Sequence, residues 1–181
     1  MESRVAIGAD IVKSTRHSQI TGIFAEALVL YWLSRDPFEC ARIDHTGIDL
    51  LARNRHTKKL MGISVKSRSR FLGTEVESVS VPTDNFRKVK KACAAFGCQP
   101  YFAIVVDGGG WLRMFLTSMA HFSKVSKRGQ ERVHWGMTGK HLQRYRLDHE
   151  IKSVELQISA ARWWGTPDNI AVQLTPASER G

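Results

Sequence analysis

The sequence has few cysteines and no long apolar run. Cys40, Cys93 and Cys98 are the cysteines of the 181-residue chain, and an odd number without the spacing of a secreted domain predicts reduced thiols in a cytoplasmic compartment. No apolar stretch approaches the ~20 residues of a membrane-spanning helix, and the polar start MESRVAIGADIVKSTR differs from a secretory signal peptide. The sequence therefore predicts a cytoplasmic protein with no membrane partner.

Acidic residues are scarce relative to basic ones. The chain has 27 Lys and Arg against 17 Asp and Glu, a formal net charge of +10, and a sequence pI near 9.9. Such an excess favours a polyanionic partner, because phosphate contacts dominate the affinity of proteins for nucleic acid. The seven histidines lack zinc-site spacing, and the three glycines from Gly108 lack the Lys-Ser/Thr of a phosphate loop. The pattern therefore favours packing thiols over a zinc site, and a hairpin turn over a nucleotide phosphate loop.

The apolar pattern of the chain alternates between helix and strand. Ile20, Phe24, Ala27 and Tyr31 recur at helical spacing from Ser18 onward, with the boundary at Asp36 before Pro37. Five strands and a second helix, capped by Asp84 and closed by Gly97, are predicted further along. The strands are residues 38–43, 48–52, 60–65, 101–106 and 111–117, and the helix is 84–96. Residues 75–81 alternate between apolar and polar and are expected to form an edge strand or a flap. This order predicts an α/β or α+β fold, a central mixed sheet flanked by helices.

Domain boundaries follow from where this pattern weakens. We expect a core over residues 18–118 and a C-terminal extension over 119–174 that packs on or beside it. Residues 1–17 and 175–181 are expected to be flexible ends. Within the extension the basic segment 124–132 is typical of a loop, and 151–158 fits a helix or a strand.

Three residues stand in an order typical of a phosphodiester-cleaving centre. Glu26 lies in the first helix, Asp49 in the strand GIDLLA, and Lys66 at the end of GISVKSR. Neighbouring antiparallel strands can bring two side chains together. A carboxylate can hold Mg²⁺, and the ion with a lysine can stabilise charge on a phosphate. Each residue alone is also compatible with an ordinary surface position.

Together these segments resemble the nuclease core of the restriction-endonuclease-like PD-(D/E)xK superfamily, and in order the archaeal Holliday-junction resolvases and related small nuclease-like domains. The resemblance covers roughly residues 21–106. It implies that Glu26, Asp49 and Lys66 occupy metal-binding or catalytic positions, and that DNA is a likelier substrate than RNA. It implies a Mg²⁺-dependent endonuclease, with Mn²⁺ as a substitute, acting in repair, recombination or mobile-element defence.

Ser64 departs from the family's pattern, because an acid or glutamine usually stands at this position. With Ser64 there, the expected metal ligands are Asp49, Glu26 and the backbone carbonyl of Val65, and Ser64 would orient a water. The departure equally fits a nuclease fold that has lost catalysis and only binds nucleic acid. A third hypothesis is a protein-interaction subunit in which the basic charge only aids solubility. Glu75 and Glu77 are conceivable replacement acids if their segment folds over the site.

Several basic residues outside the trio are candidates for contacts to nucleic acid. Cleavage of both strands usually needs two active sites, which favours a homodimer. Tyr145 could stack on a base, and so could Trp163 and Trp164, for which a buried core position or a dimer contact is the favoured alternative. The candidate phosphate-binding residues are Arg68 and Arg70 after the third strand, Lys88 and Lys91 on the second helix, and Arg144 and Arg146 in the extension.

Overall fold

The computed structural model describes residues 13–71 and 73–158, which form four helices and nine strands. The helices are α1 (His17–Arg35), α2 (Thr83–Ala95), α3 (Met119–Val125) and α4 (Gly139–Leu147). The strands are β1 (Phe38–His45), β2 (Ile48–Asn54), β3 (Leu60–Ser69), β4 (Val79–Pro82), β5 (Gln99–Gly108), β6 (Trp111–Ser118), β7 (Lys127–Arg128), β8 (Arg132–Trp135) and β9 (Lys152–Gln157).

Six strands form a central mixed sheet in the order β1-β2-β3-β5-β6-β9. All neighbours are antiparallel except β3 and β5, which run parallel. A parallel pair needs a crossover connection, and α2 lies within this one. The expected α/β class, a central mixed sheet flanked by helices, is confirmed. The strand β9 settles the segment 151–158 as a strand, and it brings the C-terminal extension into the central sheet at its edge.

The two faces of the central sheet are covered differently. On one face α1 buries Ala25, Val29 and Leu33 against β2, β3, β5 and β6. The other face carries α2, α3 and a large aromatic cluster, in which Trp135 stacks between Tyr145 (4.1 Å between ring centroids) and Phe122 (5.1 Å). Since α1 packs on β1 and β3, its position fixes which strand residues Glu26 can reach.

A second sheet lies beside the central one, with strand order β4-β8-β7. The prediction of a loop over 124–132 is therefore wrong in part, because β7 and the start of β8 fall within it. Val79 and Val81 of β4 and Val133 and Trp135 of β8 are buried in the aromatic cluster. Apolar residues at every second position hold this sheet against the core. The alternation is short and lies among charged residues, so it is difficult to recognise in the sequence.

Asp84 does not cap α2. The helix begins at Thr83 after Pro82, without a side-chain cap, and the Asp84 carboxylate pairs with Arg87 and Lys88 in the first turn. Gly97 follows the end of α2 with φ +63°, as its predicted role at the helix terminus requires. Within residues 13–71 and 73–158, no helix is long and apolar enough to cross a membrane.

Candidate active site

The candidate site lies in the fork where β2 and β3 separate. Their antiparallel ladder runs from the pair Arg53–Leu60 to the pair Leu50–Ile63, so Asp49 and the residues after Ile63 lie beyond it. On its other side β3 stays paired with β5 as far as Ser69. The edge of β3 facing β2 therefore has free backbone groups at the fork, and these need other partners.

Asp49 supplies one of these partners. Its Oδ2 accepts a hydrogen bond from the backbone amide of Val65 at 2.6 Å, and a longer one from the hydroxyl of Ser64 at 3.4 Å. A carboxylate thus takes the place of a ladder carbonyl. The aspartate is held against β3 by the backbone itself, so its position does not depend on the identity of a side chain.

Ser64 connects Asp49 to Lys66. The Lys66 ammonium donates to Ser64 Oγ at 2.8 Å, and Ser64 is almost fully buried, with 2% of its surface exposed. Ser64 and Lys66 lie on the same face of β3, since alternate residues of a strand share a face. The Asp49 carboxylate and the Lys66 ammonium thus both contact the hydroxyl of Ser64. The sequence led us to expect that Asp49 and Lys66 lie close together.

The argument that led us to expect Asp49 and Lys66 close together is wrong. We expected Ile48 and Leu50 to share a face and Asp49 to point away from both. Ile48 packs instead in the cluster with α2, and Leu50 in the cluster with α1. The β1–β2 register shifts between Arg42 and His45, so strict alternation fails at the start of β2. Asp49 reaches Lys66 through the fork.

Burial lowers the pKa of the Lys66 ammonium below its ordinary value. The Asp49 carboxylate opposes this change, Arg68 adds to it, and the Glu26 carboxylate opposes it more weakly. A buried ammonium loses hydration and is stabilised by nearby carboxylates. Lys66 is therefore a partly desolvated cation whose charge depends on the acids of the fork, and an anionic ligand would favour that charge further.

Glu26 reaches the same region from α1 but has a partner of its own. Its Oε2 lies 2.7 Å from the Arg42 guanidinium of β1. The side chain of Arg42 is 50% exposed, and an ion pair this accessible to water is weak. Arg42 is absent from the sequence-based site, and only the β1–β2 pairing across Arg42 and Leu50 brings it beside the first helix.

The conceivable replacement acids lie elsewhere. Glu77 pairs with Arg70 at 3.0 Å, and Glu75 packs against Gly108 and Gly109, at the hairpin between β5 and β6. Both carboxylates thus lie past the end of β3 and take no part in the fork. The idea that either stands in for the missing acid is wrong.

The acidic side chains of the fork are too few for a closed metal site. The described residues contain no group of three or more His, Cys, Asp or Glu side chains placed to hold an ion. Within them, Asp49 and Glu26 each use one carboxylate oxygen in the contacts above, Oδ2 and Oε2. Mg²⁺ is commonly held by one or two carboxylates with waters and substrate phosphates, and the second oxygens of Asp49 and Glu26 suit that arrangement.

The basic residues predicted to contact nucleic acid differ in whether they already have a partner within the protein. Arg70 is largely buried and donates to the backbone of Glu77 and Ser78 as well as to the Glu77 carboxylate, so it holds the β3–β4 connection. Lys88 pairs with Asp84. Lys91 and Arg68 are without a carboxylate partner among the described residues.

The extension contributes less to such contacts than its sequence suggests. Tyr145 is fully buried in the aromatic cluster, so the prediction that it stacks on a base is wrong. Arg146 is bound at 2.6 and 2.8 Å by the Glu155 carboxylate, and Arg144 donates to the backbone of Val125. Trp163 and Trp164, which we considered for stacking, lie outside the described residues.

Two grooves flank this part of the sheet. A polar groove of about 410 Å³ adjoins the fork, between the start of α1 and the end of β3, and is lined by residues that include Lys13, His17, Thr21 and Arg68. A larger, more apolar cleft of about 1260 Å³ lies at the opposite end of the sheet, where Asp36, Lys59 and Lys152 are found. Neither groove is lined by Glu26, Asp49 or Lys66, and the smaller groove approaches the fork only through Ser67 and Arg68 of β3.

Comparison with known proteins gives one kind of match. No protein-family model and no curated protein matches the sequence. Among solved structures, the chain is similar to Hjc, a Holliday junction resolvase from the archaeon Archaeoglobus fulgidus, with a TM-score of 0.49 and 16% identity over 64% of this chain and 83% of that one. At this identity the likeness concerns the fold and says nothing of activity.

Proposed function

We propose that this protein is a metal-dependent nuclease that hydrolyses phosphodiester bonds of DNA in the fork between β2 and β3. The supporting observation is the meeting of the Asp49 carboxylate and the Lys66 ammonium on the buried hydroxyl of Ser64. A fixed anion beside a partly desolvated cation is suited to bind a divalent ion and to stabilise charge on a phosphate. The excess of basic residues is suited to a nucleic-acid substrate.

Each residue of the fork has a distinct role in this proposal. Asp49 and Glu26, with the Val65 carbonyl, would hold Mg²⁺ or Mn²⁺, which when bound supplies positive charge at the phosphate and favours ionisation of a water. Lys66 would donate a hydrogen bond from Nζ to a phosphate oxygen. Ser64 already donates a hydrogen bond to Asp49 and accepts one from Lys66. It would therefore hold these two side chains in position and orient the attacking water.

The test is cleavage of supercoiled plasmid and of branched DNA with Mg²⁺ or Mn²⁺. Asp49→Ala and Lys66→Ala should each abolish cleavage. Asp36→Ala and Lys59→Ala remove an acid and a lysine at the opposite end of the sheet, and should cleave like the wild type. Cleavage that survives in both fork variants would rule out the fork as the active centre.

A second candidate is a nuclease fold that binds DNA without cutting it. Two observations favour it: Ser64 stands where an acid is usual, and Glu26 already has an ion-pair partner in Arg42. This candidate predicts salt-dependent DNA binding with no turnover by the wild type. Ser64→Glu and Ser64→Gln separate the two candidates, because cleavage created by either substitution in an inactive wild type would identify a lapsed nuclease.

We further propose that the active form is a homodimer, since cleaving both strands of a duplex needs two centres. Sedimentation of the protein with and without duplex DNA measures the oligomeric state. A monomer on DNA that still linearises plasmid in one binding event would contradict the proposed dimer and leave the fork's role intact.

A further inference from the structure

The second sheet exposes a row of basic side chains on the side away from the core. Val133 and Trp135 of β8 face the aromatic cluster, so alternation places Arg132 and His134 on the opposite side. Lys127 of β7 is the register partner of His134, and it therefore shares this side. We call Lys127, Arg132 and His134, together with Arg68 of β3, the outer basic face.

Arg68 joins the outer basic face to the fork. It follows Lys66 on the same side of β3, and its guanidinium donates to the backbone carbonyl of Ser80 in β4 at 3.3 Å. Ser80 is the register partner of His134, and its hydroxyl lies 3.0 Å from His134 Nδ1. A chain of direct contacts thus runs from the end of β3 to the second sheet.

The charges of this face lack compensation. Among the described residues, Arg68, Lys127 and Arg132 make no ion pair with a carboxylate. Burial lowers the pKa of the Arg68 guanidinium, and the neighbouring Arg70 and Arg132 lower it further. Arg70 is already paired with Glu77, so the uncompensated repulsion lies between Arg68 and Arg132. A bound anion would relieve it.

An ordinary solvated surface explains these observations less well. Water screens exposed cations and makes their mutual repulsion small, but the exposed side chain of Arg68 is oriented by its hydrogen bond to the Ser80 carbonyl. Its orientation holds a positive group between Lys66 and Arg132. Such an arrangement suits a ligand that carries negative charges at regular intervals, as the backbone of a nucleic acid does.

We propose that the outer basic face binds the phosphate backbone of duplex DNA beside the bond cleaved in the fork. The proposal rests on the proposed function and extends it, because it gives the duplex a direction across the molecule, from Lys66 over Arg68 to Arg132 and Lys127. The second sheet would then be the part of the extension that holds the substrate, and its contacts would act on binding and not on the chemical step.

The experiment measures affinity separately from cleavage. Fluorescein-labelled 30-base-pair DNA is titrated with full-length protein in EDTA at salt concentrations from 50 to 400 mM, and an RNA duplex of the same sequence forms a second arm. Lys127→Ala/Arg132→Ala is compared with Lys59→Ala/Lys152→Ala, which removes the same charge at the opposite end of the sheet. Arg132→Lys keeps the charge on the outer basic face.

The outer-face double variant should bind DNA roughly tenfold or more weakly at 100 mM salt. Its plot of log affinity against log salt should be less steep by about 1.8, the value for two lost phosphate contacts. Arg132→Lys and the control double variant should keep the wild-type slope. Thermal unfolding verifies that every variant is folded.

An outer-face double variant that binds like its control overturns the inference, as does tighter binding of the RNA duplex than of DNA. Neither result bears on the proposed nuclease activity, which is tested separately by the cleavage assays of the Asp49 and Lys66 variants. Loss of cleavage without loss of DNA binding in Asp49→Ala, together with weak binding by the outer-face variant, supports both.

Discussion

Removal of the Asp49 side chain is expected to cost stability as well as activity. Asp49 Oδ2 accepts the Val65 amide at 2.6 Å, at a point where β3 has no ladder partner in β2. Asp49→Ala leaves this N–H without an acceptor, and a hydrogen bond to a charged group contributes about 1.5–3 kcal/mol. We expect the free energy of unfolding to fall by about 2 kcal/mol.

Asp49→Asn separates the structural part of this effect from the chemical part. The amide oxygen of asparagine can still accept from the Val65 N–H, so the loss of stability should stay below about 1 kcal/mol. The neutral amide is a poor ligand for a hard divalent cation. Cleavage should therefore be abolished in Asp49→Asn as completely as in Asp49→Ala.

Urea unfolding at pH 7, followed by circular dichroism and extrapolated linearly to water, measures the stabilities, and nicking of supercoiled plasmid measures the activity. Asp36→Ala serves as the control for removal of an acid. An Ala variant as stable as the wild type would refute the role given to the Val65 bond. Full activity of the Asn variant would refute the metal-binding role of Asp49.

Three further substitutions test the packing and the charge of the site. Because burial lowers the pKa of Lys66, the folded state disfavours its charge, so Lys66→Met should raise the free energy of unfolding at pH 7 while abolishing cleavage. The wild type should approach the variant's stability as the pH rises through the lowered pKa toward 10.5, and a pH-independent difference contradicts this. Trp135→Ala, at the fully buried centre of the aromatic stack, should cost about 3–5 kcal/mol in urea unfolding; a loss below 1 kcal/mol would show that the stack carries little energy. A Cβ at Gly62 would lie 2.6 Å and 2.7 Å from the sulfurs of Cys98 and Cys93, so Gly62→Ala should cost about 1–3 kcal/mol, and adding Cys98→Ala should recover part of that loss.

The sequence was sufficient for the parts of the fold that depend on local pattern. The helix α1 and the strands β2 and β3 have clear apolar periodicity, and the acid and the lysine of the fork lie close together along the chain. Asp49 and Lys66 were therefore correctly placed on neighbouring strands, although the alternation expected to bring them together fails at the start of β2. The metal-binding and catalytic roles of Glu26, Asp49, Ser64 and Lys66 stay predictions.

What sequence reasoning missed depends on contacts between distant segments. The pairing of Arg42 with Glu26 requires the β1–β2 register, and the bond from Val65 to Asp49 uses a backbone group that every residue possesses. The strand β8 was overlooked because Arg132 and His134 alternate with Val133 and Trp135 over only four residues. That short alternation was the available signal, but it was obscured by the polar segment before it.

The fork and the outer basic face differ in how far apart their parts lie along the chain. A short hairpin brings Asp49 to β3, whereas the pairing of β4 with β8 closes a loop of about fifty residues. Closing a longer loop costs more chain entropy, and its contacts form later in folding when topology limits the rate. Because Val79, Val81 and Trp135 are fully buried, the second sheet cannot open without exposing the core. The outer basic face therefore exists only when the whole core is folded, whereas Asp49, Ser64 and Lys66 are brought together within one hairpin.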